Sequence, residues 1–151
     1  MGTEVRPPDL ELWATAYARV LLDVRTPLEE HLDWDLRDVK ATNKEPLGDW
    51  PEALVIFRDD GGSRKSPVSW TRSMGVSVIA GTRRSDARAR DLAFMLCGAF
   101  TDESLPLLVG KPIASVDGSN GPYRVSESQD RTRMYFTVEY TVFGTPVVVA
   151  G

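Results

Sequence analysis

Two stretches of this chain alternate apolar and polar residues with a period of two. In the first, Val68, Trp70, Met74, Val76 and Val78 share one face, while Ser69, Thr71, Ser73 and Ser77 take the other. In the second, Met134, Phe136, Val138, Tyr140 and Val142 share a face. Successive side chains of a strand point to opposite sides, so both stretches are read as β-strands. One face of each belongs in a core, the other faces solvent or a partner.

Each strand has a neighbour in the chain to pair with. Ala53-Leu54-Val55-Ile56-Phe57 is a short continuous apolar run, read as a buried strand, and Asp59-Asp60-Gly61-Gly62-Ser63 after it is a turn signal. The two make a hairpin with a long tip. Tyr123–Ser128 joins Arg133–Phe143 through Gln129-Asp130 as a second hairpin. Ile113 to Val116 reads as a short strand ahead of the loop Asp117-Gly118-Ser119-Asn120-Gly121-Pro122.

Two segments carry helical spacing instead. Asp9 is a good cap, and Trp13, Ala16, Tyr17, Val20, Leu21 and Val24 follow at the three-and-four spacing of one buried face, with Arg25 and Pro27 as the stop. Thr82 or Ser85 would cap the second helix, with Asp86 in its first turn and Ala89, Leu92, Ala93, Leu96 and Phe100 as its apolar stripe. Between them, Leu28, Leu32, Leu36 and Val39 support a short helix or an irregular packed segment, and Pro46, Gly48 and Pro51 mark a connection.

The expected fold is therefore α+β, with two main helices on one face of a mostly antiparallel sheet of about four strands. The order would be helix, hairpin, helix, hairpin. At 151 residues the chain suits a single domain spanning 1–151, with 1–8 and 145–151 as terminal arms. Val147-Val148-Val149 at the end would be a sticky strand unless it packs on its own domain or on a neighbour's edge.

Charge and composition exclude several function classes. The chain has 18 basic and 22 acidic residues, a net charge of −4, whereas a protein living on nucleic acid usually carries a basic surplus. One cysteine, Cys97, and one histidine, His31, cannot assemble a Cys/His zinc set or an internal disulfide. The start of the chain has no apolar leader and no run long enough to span a bilayer, so a soluble protein is expected.

Positive signs of catalysis are also missing from the pattern. Glu29-Glu30-His31-Leu32-Asp33-Trp34-Asp35 superficially resembles an ion site, but counting from Asp33 puts Asp38 and Lys44 where a calcium loop needs glycine and glutamate. A solvated acidic surface is the simpler reading. The sequence contains no Gly-x-Ser-x-Gly turn and no phosphate-binding glycine pattern. Cys97 sits within the second apolar helix, as an inert thiol would. No catalytic residue, metal or cofactor is expected.

Three features break local rules, as interface positions tend to do. Arg72 stands in the apolar register between Trp70 and Met74, either guarding an edge or bulge or making an ion pair across a subunit contact. Arg83 and Arg84 precede a helix N-terminus, where the dipole disfavours cations, with Arg88 one turn further on. The stretch Asp59–Ser66, which includes Asp60, Arg64 and Lys65, exceeds the length of ordinary hairpin tips and suggests a flexible loop that orders on contact.

Trp50-Pro51-Glu52-Ala53-Leu54-Val55-Ile56-Phe57 and the stretch Trp70–Arg84 resemble tail terminator (tail completion) proteins of long-tailed phages, particularly those of actinobacterial hosts. The likeness spans residues 9 to 145 and is poorest over 28–50. It implies a structural virion protein forming a hexameric ring that caps the tail tube, stops its polymerisation and joins it to the head connector. Its partners would be copies of itself, the tail tube protein and the head–tail connector protein. Genomic DNA would only pass through the lumen, and no membrane would be involved. The location implied is the head-proximal end of the virion tail, after assembly in the host cytoplasm. Asp59, Asp60, Arg64, Lys65, Arg72, Arg83, Arg84 and Arg88 are the expected subunit or tube contacts. The competing readings are another head–tail joining or tail-tube protein, or a small hydrolase or ligand-binding domain with a deep polar pocket.

Overall fold

A computed structural model of the chain describes residues 2–24, 35–107 and 112–149. The stretch around His31, the helix stop at Arg25 and Pro27, and Leu28 and Leu32 lie outside those residues. In chain order come β1 (Gly2–Arg6), α1 (Leu10–Asp23), a 3-10 turn at Leu36–Asp38, β2 (Lys40–Thr42), β3 (Ala53–Gly61), β4 (Arg64–Ser66) and β5 (Ser69–Ala80). Then follow α2 (Ala87–Phe100), a second 3-10 turn at Leu105–Leu107, β6 (Ile113–Val125), β7 (Thr132–Phe143) and β8 (Thr145–Val149).

The architecture corrects the expected α+β fold of about four antiparallel strands in helix-hairpin-helix-hairpin order. Strand dominates, and the main sheet has six strands, ordered β2-β3-β5-β7-β6 with β4 also on β5. It is mixed, because β2 runs parallel to β3 while the other neighbours are antiparallel. Lys40-Ala41-Thr42 is too short and polar to announce a strand. It becomes one because β3 offers an edge, and α1 holds the approach to it. Arg19 donates to the Val39 and Leu36 carbonyls just ahead of β2, and Asn43 just after it donates to the Glu11 carboxylate at 3.3 Å.

β6 is the second departure. Asp117–Pro122, read as a loop, is strand, because three register shifts carry β6 alongside β7 from Ile113↔Val142 to Val125↔Arg133. Each shift admits an extra residue, which is how glycine and proline are tolerated in an edge strand. The two terminal arms pair with each other as a separate antiparallel ribbon, from Gly2↔Val149 to Arg6↔Thr145.

Register explains the core. Val55 faces Val78, Phe57 faces Val76, Met74 faces Val138 and Val76 faces Phe136, so one sheet face is continuously apolar. Both helices pack on that face. Phe57, Phe100, Trp13, Tyr17 and Tyr140 form an aromatic centre, with Phe57–Phe100 at 5.2 Å and Tyr17–Phe100 at 5.3 Å between ring centroids. Tyr140 is buried, which pushes its phenol far above the usual tyrosine range, and it donates a hydrogen bond to the Phe100 carbonyl. The back face carries a small cluster of Leu54, Ile56 and Ile79 under Trp50, and is otherwise polar.

α1 is rotated relative to expectation. Asp9 caps it as foreseen, its Oδ1 accepting from the Leu12 amide at 3.0 Å, but the buried line is Leu10, Ala14, Ala18 and Leu22. Trp13, Tyr17 and Leu21 flank that line half-buried, whereas Ala16, Val20 and Val24 face outward. Eleven of the residues from Leu10 to Val24 are apolar or aromatic (Leu10, Leu12, Trp13, Ala14, Ala16, Tyr17, Ala18, Val20, Leu21, Leu22, Val24), so spacing alone admits two faces. The small Ala14 and Ala18 let the backbone settle on the sheet, which decides the rotation. α2 starts at Ala87, later than read. Thr82 and Ser85 form a bridge rather than a cap, and Asp86 pairs with Arg90 at 2.6 Å without capping the helix.

Candidate functional site

The residues singled out from sequence fall at two ends of the molecule. Asp59, Asp60, Arg64, Lys65 and Arg72 gather around the start of β5, while Arg83, Arg84 and Arg88 follow its end. Arg72 and Ala80 are eight residues apart along one strand, a separation of about 26 Å at ~3.3 Å per residue. They are two surfaces, not one.

At the first end, the expected flexible tip is mostly strand. β3 runs on to Gly61, and β4 pairs back on β5 through Arg64↔Trp70 and Ser66↔Ser69. Gly62 lies so close to β5 that a Cβ there would overlap the Thr71 carbonyl, which ties the turn to glycine. Arg64 donates to the Ser66 and Pro67 carbonyls at 3.2 and 2.7 Å, and its guanidinium lies 5.2 Å above the Trp70 ring. Both contacts stay within the chain.

Arg72 sits on β5 between β3 and β7, so it guards no edge. It lies beside the register shift on β3 between Asp59 and Gly61 and pairs with Asp59 at 3.7 Å, with 19% and 21% of the two side chains exposed. Its Nε is buried without a hydrogen-bond partner. Asp59 in turn donates its amide to Glu11 at 2.8 Å, linking this corner to α1.

Around Arg72 opens a cleft of about 290 Å³ lined by Gly61, Gly62, Thr71, Ser73, Asp117, Glu139 and Tyr140. Asp117 accepts from Ser115 and Thr141, each at 2.6 Å, and Lys65 reaches Thr141 at 3.4 Å. Burial alone would raise the Asp117 carboxyl, but those hydroxyls and the Lys65 charge outweigh it and hold the group below the usual range. Nothing in the sequence ties Asp117, Thr141 and Lys65 together, because β6, β7 and β4 meet only in the sheet. Asp60 points to the back face, where it takes Arg58 at 2.6 Å beside the Tyr135 hydroxyl.

At the second end the two adjacent arginines have different roles. Arg83 donates from Nε to the Gln129 carbonyl at 3.0 Å and from Nη2 to the Glu127 and Ser128 carbonyls at 2.8 and 3.0 Å. Its amide donates to Asp130 at 3.1 Å. It clamps the β6–β7 turn. Arg84 is exposed and makes no hydrogen bond or ion pair among the described residues. Arg88 pairs with Glu52 at 3.5 Å.

Among the described residues no three His, Cys, Asp or Glu side chains converge as a metal site would require. Cys97 is half-buried in α2, and burial raises its thiol away from the reactive thiolate. No helix among the described residues is long and apolar enough to cross a membrane. Sequence reasoning missed one surface: Leu12 and Val20 on α1, Val24 just past its end, and Phe94 on α2 are all exposed. The signal was present, since a helix apolar nearly all round has more to bury than one sheet can cover.

No protein-family model and no curated protein matches this sequence. Among solved structures, the fold is similar to that of a chain in the virion of a native gene transfer agent particle, with a TM-score of 0.57 at 17% sequence identity. The match covers 91% of this chain and 100% of that one. At this identity the likeness is one of fold.

Proposed function

We propose that this chain is a structural subunit of a phage-like virion, and within that class a tail terminator. Copies would close into a hexameric ring at the head-proximal end of the tail, cap the tube, stop its growth and present a surface to the head connector. The observation that carries the reading is the end-to-end likeness of fold to a chain of a virion particle, which accounts for 91% of this chain. The resemblance of Trp50–Phe57 and Trp70–Arg84 to terminator sequences supports the narrower reading of a tail terminator. The net charge of −4 suits a channel that lets DNA pass without holding it, since tight phosphate binding needs a basic surplus. The reading assigns no catalysis to the chain.

Electron microscopy of the purified protein mixed with preformed tail tubes tests it. Rings seated at one end of the tubes, with elongation halted, are expected. Polymerisation of the chain into open-ended tubes would identify a tube protein instead. Binding to head connectors with bare tube ends would identify a different neck component.

A further inference from the structure

An asparagine followed by glycine is chemically exposed to its own backbone. The amide nitrogen of the next residue attacks the asparagine Cγ, and a glycine there has no Cβ to hold it away. The chain has two asparagines, Asn43 and Asn120, and the second precedes Gly121. It also has two Asp-Gly steps, Asp60-Gly61 and Asp117-Gly118, where the same ring closure is conceivable. The tertiary structure treats these four positions differently.

Three of the four are held. Asn43 donates from Nδ2 to the Glu11 carboxylate at 3.3 Å, and Lys44 after it carries a Cβ and a long side chain. Asp60 pairs with Arg58 at 2.6 Å, and Asp117 accepts from the Ser115 and Thr141 hydroxyls, each at 2.6 Å. Those donors favour the ionised form of both aspartates. An ionised carboxylate resists a nitrogen nucleophile, because its charge is already spread over the oxygens of the carbon under attack.

Asn120 has no such tie. It is exposed, and its side chain makes no hydrogen bond or ion pair among the described residues. It lies on β6, the outermost strand on that side of the sheet, and pairs with Thr137 as the last residue before a register shift. Ring closure requires the Asn120 backbone to leave the extended form briefly. In an edge strand interrupted by a shift, that opening costs only part of the free energy of global unfolding. Gly121 is exposed, has a φ of +94°, and lies so close to β7 that a Cβ would overlap the Tyr135 carbonyl. The packing of β6 on β7 therefore demands glycine at the one position where glycine also makes the preceding asparagine reactive.

We propose that Asn120 is a site of spontaneous deamidation in the folded protein. Hydroxide takes the proton of the Gly121 amide, and the nitrogen forms a bond to Asn120 Cγ. Nδ2 leaves as ammonia with a proton from water, which restores the hydroxide. A second water opens the resulting succinimide. Breaking its bond between Cγ and nitrogen gives aspartate. Breaking the bond between the Asn120 backbone carbonyl carbon and nitrogen gives isoaspartate, whose main chain runs through the former side chain. Each event consumes one water, releases one ammonia and adds a negative charge to the sheet face that carries Thr137 and Glu139. The site rests on the fold alone and is independent of the tail reading.

The full chain, kept at mildly alkaline pH and physiological temperature, is sampled over days and mapped by peptide mass spectrometry. A synthetic peptide of Ser119 to Val125 runs alongside as the unprotected reference. Loss of the Asn120 amide is expected in the protein, with aspartate and isoaspartate both present, while Asn43 keeps its amide. Asn120→Gln is expected to stop the reaction, because the longer side chain must close a larger ring.

Asn120 that stays intact in the protein while the peptide converts would overturn the proposal, since the strand would then be protecting it. Equal loss at Asn43 would overturn it too. Urea unfolding of the same protein supplies the last control. A rate slowed relative to the peptide by as much as the folding equilibrium constant would mean that only the unfolded chain reacts, which also overturns it. A smaller slowing is expected, as local opening of β6 requires.

Discussion

Removing the Arg83 side chain should loosen the β6–β7 turn, while removing its neighbour should do nothing measurable to the fold. Arg83 makes three side-chain hydrogen bonds to the carbonyls of Glu127, Ser128 and Gln129, at 2.8, 3.0 and 3.0 Å. A hydrogen bond to a charged donor contributes about 1.5–3 kcal/mol when sheltered. Arg83 is exposed, so water competes for both partners and each bond retains only a fraction of that. We expect Arg83→Ala to cost about 1–2 kcal/mol in all, which for a domain of this size lowers the melting temperature by about 2–8 °C. Arg83→Lys should recover part of the loss, since an ammonium carries a charge but not the guanidinium fork that spans three carbonyls. Arg84→Ala should stay within about 0.5 kcal/mol of wild type, as surface substitutions away from such contacts do. Urea unfolding followed by tryptophan fluorescence reads all three variants. Equal stability of the Arg83→Ala and Arg84→Ala proteins would refute the reasoning. The same contrast bears on assembly, because reversing both arginines together would confound a fold defect with a contact defect. Arg84→Glu alone is the cleaner probe.

Two further outcomes follow from the core and the cleft. Tyr140→Phe leaves the Phe100 carbonyl without the donor it now has, so a loss of about 1–2 kcal/mol in urea unfolding is expected, and an unchanged midpoint would show that bond to be idle. Asp117 is held below the ordinary carboxylate range, so its contribution is full above the unfolded value of about 3.9 and is lost as pH falls through the lower folded value. Wild type should therefore be more stable than Asp117→Asn at neutral pH and lose that margin progressively on acidification below about pH 4, whereas a margin that does not shrink on acidification would contradict the assignment.

Local chemistry in the sequence identified the elements that depend on their own residues. Asp9 caps α1 because a carboxylate three residues before an amide needs nothing from elsewhere. The alternation from Met134 to Val142 settles which face of β7 is buried, because a one-residue slip would turn every apolar side chain outward. The apolar stripe of α2, Ala89, Leu92, Ala93, Leu96 and Phe100, is the one the structure buries. These depend on neighbours within a few residues.

Whatever depended on a distant partner waited for the tertiary structure. Lys40-Ala41-Thr42 is a strand only because β3 runs beside it, and Asp117–Pro122 is a strand only because β7 is long enough to carry it through three shifts. The rotation of α1 turned on how closely Ala14 and Ala18 approach the sheet, a matter of packing that helical spacing leaves open. Of the candidate site, the basic and acidic residues were legible as rule-breaking charges, but their roles were not. Arg83 reaches carbonyls 44 to 46 residues away and Arg64 folds back on its own turn, whereas Arg84 stays free among the described residues. Sequence alone thus determined which segments have an apolar face to bury. The three-dimensional structure decided which of those faces are covered and which, on α1 and α2, stay exposed among the described residues, because covering depends on where the sheet runs out.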